Sequence, residues 1–146
     1  MKYRARLTTN IAVNCLICAL CIHAAWAAAP QSDTVTRETA HDIFKQLIEI
    51  NTTDSIGSTT VAAQAMSKRL LDAGFPAADV VVVGPNDRKG NMVARYRGKA
   101  GSKLRPVLII GHLDVVEARR EDWTTDPFKF VEQDEYYYGR GTQDMK

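Results

Sequence analysis

The chain has 146 residues, 45% of them hydrophobic and 25% charged, the proportions of a globular sequence of about one domain. Its formal net charge of +2 owes its sign to Lys2, Arg4 and Arg6, without which the balance turns slightly acidic. No basic run interleaved with aromatic residues follows, which argues against a nucleic-acid partner.

Residues 1–29 read as a secretory signal peptide. Lys2, Arg4 and Arg6 form a positive start, Ile11 to Trp26 a mostly apolar stretch, and Ala25-Trp26-Ala27 and Ala27-Ala28-Ala29 two small-x-small cleavage sites. The stretch falls short of the about 20 residues of a stable membrane span, so export to the periplasm or the outside is expected. Cys15, Cys18 and Cys21 have the spacing of metal ligands, but an apolar leader offers no folded cage for an ion. Residues 30–146 contain no further cysteine, and the mature chain is expected to fold without disulfides.

Pro30 to Val35 reads as a linker and Thr36 as the N-cap of a helix reaching about Ile50, with Ala40, Ile43, Phe44, Leu47 and Ile48 on its apolar face. A polar break at 51–58 precedes a second helix from about Thr59 to Ala73, closed by Gly74. Ala78 to Val83 and Asn91 to Arg97 read as strands around a Gly84-Pro85-Asn86-Asp87 turn. Pro106 to Ile110 is a continuous apolar run, the pattern of a strand buried on both faces. Phe128–Val131 and Tyr136–Tyr138 suit a hairpin. Helices followed by such strands predict an α/β architecture.

Chemistry begins where the Pro106–Ile110 run ends. In open α/β sheets ligands gather at the carboxyl ends of strands, which is where His112 stands, after Gly111. Asp114 lies two residues on, so in extended backbone both side chains point one way. A carboxylate there can hold the proton of one imidazole nitrogen while the other faces a metal. Alone, a histidine at a strand end is usually structural, and Asp144 behind Gly139-Arg140-Gly141 is usually a turn residue. Together the two segments are more informative. A dinucleotide-binding reading of Gly139-x-Gly141 fails because Asp144 stands where a third glycine is needed and would repel a pyrophosphate. Trp123 and Phe128 are candidates for substrate contact but are expected to pack under a long loop. His41 is expected at the surface or packed on its helix, and Asn51-Thr52-Thr53 is a glycosylation sequon with meaning only in a eukaryotic secretory host.

Gly-His-Leu-Asp-Val-Val (111–116), Asp-Trp-Thr-Thr-Asp-Pro-Phe (122–128) and Tyr-Gly-Arg-Gly-Thr-Gln-Asp-Met-Lys (138–146) resemble, in order and spacing, the M20 family of zinc peptidases and deacylases. The resemblance covers roughly residues 36–146. It implies the N-terminal portion of a zinc-exopeptidase-type catalytic domain, a mixed sheet flanked by helices, in residues 30–146. It implies two zinc ions, with His112 ligating one, Asp144 bridging both and Asp114 orienting His112. It also implies a cis peptide between Asp144 and Met145. The general-base glutamate and the remaining ligands of the family lie beyond the bridging aspartate, and these residues end two positions after it. A truncated portion, inactive alone, is therefore expected, and a homodimer would form through a domain not present here. The implied activity is cleavage of amide or peptide bonds, as a carboxypeptidase or dipeptidase, with an N-acyl-amino-acid deacylase of the same family as the alternative. The alternative from another class is a non-catalytic exported binding module that retains a relic of the site.

Overall fold

The computed structural model describes residues 32–144 and Lys146. The predicted leader with its cysteines and cleavage sites lies outside the described residues, as does Met145 and with it the implied cis bond. The chain divides between Thr39 and Ala40. Of the first part only the opening turns of a helix are described, and the rest of the fold belongs to Ala40–Lys146.

Helix α1 (Ser32–Ile48) starts earlier than its sequence predicts, so Thr36 lies inside it instead of capping it. Asp33 occupies the first turn, where the exposed amides favour a carboxylate, and pairs with Arg37 one turn on at 2.7 Å. The helix thus includes residues that composition alone marks as linker. Helix α2 (Thr59–Asp72) is bounded as predicted. The Ser58 hydroxyl accepts from the Val61 amide at 3.4 Å. At the other end the amides of Gly74 and Phe75 donate to Leu71 and Leu70, each at 3.0 Å, and Gly74 takes the left-handed φ of +90° that this Schellman closure requires. Arg69 ties the two helices, donating to the Gln46 side chain at 2.5 Å and to the Asp42 carbonyl at 3.2 Å.

Strands β1 (Val80–Val83) and β2 (Asn91–Ala94) form an antiparallel pair in which Val80 faces Ala94 and Val83 faces Asn91. Asn86 makes the turn, its side-chain oxygen accepting from the amides of Arg88 and Lys89 at 3.0 and 3.1 Å. Helix α2 packs on one face of this pair through the fully buried Ala62 and Ala63 and the buried Val80. The other face leaves Val81, Val83 and Val93 exposed. Both strands are shorter than predicted, because Ala77–Asp79 winds into a 3-10 turn and leaves residues after Arg95 without a ladder partner.

The second pair, β3 (Val131–Gln133) and β4 (Tyr136–Tyr138), is the predicted hairpin with its first strand displaced towards the turn. Phe130 and Tyr137 stack 5.1 Å apart, and Phe44 of α1 meets them edge-on at 5.8 and 5.7 Å. His41 joins this cluster, 5.4 Å from Phe130 and 3.1 Å from a Glu132 oxygen, which is the helix-packing role the sequence predicts.

Helices with short strands agree with the α/β class, but the single mixed sheet does not form among the described residues. There are two separate two-stranded sheets instead. Pro106–Ile110 is a correction of the same kind. It carries no strand assignment, and Val107, Leu108, Ile109 and Ile110 are 82–89% exposed. A strand exists only where neighbours take its N–H and C=O groups, and both described hairpins close on themselves. Among the described residues no helix is long and apolar enough to cross a membrane.

Asp79 is the most buried charge in this architecture, 4% exposed, with its two oxygens on Arg97 Nε and Nη2 at 2.7 and 2.6 Å. Hydrogen bonding to Arg97 holds the Asp79 carboxyl below its ordinary value against the opposing effect of burial, and Arg95 adds a weaker pull. A carboxyl with a lowered folded pKa contributes stability above its ordinary range and loses it as pH falls through the folded value. Asp79→Asn should therefore lower the urea midpoint at neutral pH, with the deficit shrinking below about pH 4. A deficit that stays constant across an acid titration would show that the ion pair is not its source.

Candidate metal centre

The corner after α1 organises the site. Glu49 and Ile50 amides close the last turn onto Lys45 and Leu47 carbonyls at 3.1 and 3.3 Å. Asn51 then turns the chain, its side-chain oxygen accepting from the amide and hydroxyl of Thr53 at 2.9 and 2.8 Å. This buries Thr52, 1% exposed, whose hydroxyl donates to the Leu113 carbonyl at 2.7 Å and whose carbonyl accepts from the Val115 amide at 3.4 Å. The residues on either side of Asp114 are thus held by one threonine, and Val115 is itself buried. Glu117 continues the attachment, accepting from the Ser55 amide and hydroxyl at 2.9 and 2.8 Å.

His112 stands on this segment with a half-exposed ring. Its Nδ1 lies 3.0 Å from the Asp114 carbonyl oxygen and 3.3 Å from the Asp114 carboxylate. The backbone oxygen is the nearer partner, a refinement of the predicted carboxylate contact. A proton on Nδ1 finds both acceptors and leaves Nε2 as the bare lone pair. Nε2 faces the Asp144 carboxylate, 3.6 Å from its Oδ1. Sequence places these two groups in separate motifs, and the fold brings them to one spot.

Asp144 comes from the turn that follows β4. Gly139 takes φ +152°, and a Cβ there would lie 2.5 Å from the Ile48 side chain, so the turn can lie against the end of α1 only with glycine at this position. The Arg140 amide donates to the Pro127 carbonyl at 2.7 Å, and its guanidinium stacks 5.0 Å from the Trp123 ring while reaching the Glu117 carbonyl at 3.2 Å. Trp123 packs in the loop, as predicted, and does so against the arginine. The Thr142 hydroxyl and amide both donate to the Gly139 carbonyl, at 3.0 and 3.3 Å. Lys146 ends the segment with its ammonium donating to the Leu47 carbonyl at 2.7 Å and to the Ile50 carbonyl. Burial pushes its pKa down to about 8.

Sequence reasoning misses Thr52, Arg140 and Lys146. Thr52 appears in it only as the middle of a sequon, and a side chain that bonds a distant carbonyl leaves no periodic trace.

An imidazole nitrogen and a carboxylate oxygen are the donors zinc takes, and two ligands about 2 Å from one tetrahedral ion sit about 3.3 Å apart. The 3.6 Å between His112 and Asp144 fits that pair of donors. It supplies two of the three or four that a zinc ion needs, and no group of three or more candidate ligands occurs among the described residues. Thr52→Val keeps the side-chain volume and strands the Leu113 carbonyl. It should lower the unfolding free energy of the protein by about 1–2 kcal/mol in urea titrations; a value indistinguishable from wild type removes Thr52 as the anchor.

The family model described as Peptidase family M20/M25/M40 matches residues 108–146. Among curated relatives, the chain is similar to a succinyl-diaminopimelate desuccinylase of Polynucleobacter necessarius subsp. necessarius, 42% identical over 82 residues, 56% of this chain and 21% of the relative. It is similar to acetylornithine deacetylases of Erwinia tasmaniensis, 36% identical over 113 residues (72% of this chain, 27% of the relative), and of Buchnera aphidicola subsp. Schizaphis graminum, 34% over 108 residues (71% and 27%). The chain thus spans about a fifth to a quarter of the length of the relatives it matches. No solved structure gives a significant match.

Proposed function

Because the chain belongs to the M20 family through residues 108–146, we propose that the full-length protein is a zinc-dependent hydrolase of amide bonds in N-acyl amino acids. The observation that carries this reading is the approach of His112 Nε2 to Asp144 Oδ1 at 3.6 Å. The relatives' names, a desuccinylase and two deacetylases, favour the deacylase over the carboxypeptidase or dipeptidase.

In this reading His112 would hold zinc through Nε2 and Asp144 through its carboxylate. Bound zinc supplies Lewis acidity and a water whose pKa is lowered towards about 7. The chain's own part is to hold the donors. Asp114 keeps the Nδ1 proton in place through its carbonyl and carboxylate, which fixes the tautomer and strengthens Nε2 as a donor. The Asp144 side chain is 91% exposed, so it is open to ions and to groups contributed from elsewhere in the full-length protein. The general base belongs, in this reading, to residues outside this chain, and these residues alone have no turnover.

The full-length protein should bind zinc stoichiometrically and release amino acids from N-acetyl or N-succinyl conjugates. His112→Ala and Asp144→Ala should each abolish turnover and reduce bound zinc, and Asp114→Asn should weaken zinc binding about 10- to 100-fold. Neither zinc nor amide cleavage in the wild-type protein would establish the non-catalytic binding module instead, and turnover on C-terminal peptide bonds alone would establish the peptidase.

Export is a separate proposal, resting on the residues of 1–29. N-terminal sequencing of the expressed protein should begin after Ala27 or Ala29, and a product that keeps Met1 refutes cleavage.

A further inference from the structure

Lys146 follows the Asp144 turn closely in sequence, but its ammonium makes its bonds elsewhere, at the end of α1. It donates to the carbonyls of Leu47, at 2.7 Å, and Ile50. The Lys146 amide donates to the Gly141 carbonyl at 3.0 Å, and its stem lies so close that a Cβ on Gly141 would be 3.1 Å from Lys146 Cγ. We propose that Lys146 is a positioning residue whose ammonium clamps the turn carrying Asp144 onto the carboxyl end of α1, and so sets the approach of Asp144 to His112.

Three observations carry it. Carbonyls at a helix end carry partial negative charge, and here the ammonium bonds two of them at once, Leu47, whose oxygen also takes the Ile50 amide at 3.3 Å, and Ile50 just beyond the helix. A half-buried ammonium is retained only where such bonds offset its lost hydration, which makes this contact specific. The turn itself has few other attachments: Gly139 and Gly141 both have positive φ, Gly139 touches Ile48, and Arg140 bonds the Pro127 and Glu117 carbonyls. The segment bearing His112 hangs from Thr52, on the same corner. Lys146 and Thr52 are therefore two attachments through which both donors refer to the same corner.

The functional consequence rests on the zinc-hydrolase reading, whereas the clamp does not, and the test separates them. Amide hydrogen exchange is measured on the metal-free full-length protein as wild type, Lys146→Met and Lys146→Arg, alongside zinc affinity by chelator competition. In Lys146→Met the amides of Arg140 and Thr142 should exchange about tenfold faster or more, while those of α2 and the β1–β2 pair keep their protection. Zinc affinity should fall about 10- to 100-fold, with Lys146→Arg recovering part of both effects. Unchanged exchange in the 139–144 turn overturns the clamp, and so does an equal rise across α2 and β1–β2, which would be general loosening. If Lys146→Met fails to fold, Lys146→Gln takes its place and is judged by the same two readings. If wild type binds no zinc, the hydrolase reading falls and the exchange result alone decides the clamp.

Discussion

One bend in the backbone, from Leu47 to Thr53, holds the rest in register. The α-helix ends there, and carbonyls in and just beyond its last turn become attachment points. Leu47 and Ile50 take the Lys146 ammonium, while Thr52 exchanges bonds with Leu113 and Val115. Ile48, fully buried, presses on Gly139 from the same bend. Segments far apart in sequence meet because both are fastened to this place, and the two metal-type donors follow.

Polar fastening matters here because the apolar core is small. The buried hydrophobic side chains include Leu47, Ile48, Ala62, Ala63, Val80, Val115 and Phe130, spread over three contact areas. One lies between α2 and the first hairpin and one between α1 and the second hairpin, with the bend between them. Packing of this kind places elements to within the tolerance of side-chain rotamers. Hydrogen bonds from buried groups such as Thr52 add direction, because a misplaced buried carbonyl costs more than a shifted methyl. The site accordingly takes its geometry from bonds to main-chain oxygen, and its donors remain open to solvent.

Much of this was legible in the sequence. Gly74 marks the end of α2 because its closure needs a left-handed residue there, whereas the Ser58 cap at the other end stood in the sequence only as part of the polar break 51–58. The valine run announces β1, and the His112 and Asp144 motifs announce the donors. The turn of the second hairpin was harder to read. Asp134 and Glu135 occupy it at φ 53° and 65°, positions where asparagine and glycine are the usual signal. Pro106–Ile110 was misread for a deeper reason. An apolar run records what a segment requires, not whether a neighbour is present to meet it. Thr52 and Lys146 escaped because their bonds go to carbonyls, which every residue has.

The exposed aliphatic run just ahead of His112 has a colloidal consequence. Val107 to Ile110 is uncharged, rich in β-branched residues and free of glycine, the composition from which intermolecular cross-β stacking starts. Lys99, Lys103 and Arg105 stand immediately upstream and act as gatekeepers, since like charges on two approaching copies repel. That protection is purely coulombic, so it weakens as ionic strength rises and the Debye length shrinks to about 8 Å in physiological salt. The stretch that leads to the imidazole therefore also presents an exposed aliphatic surface to other molecules.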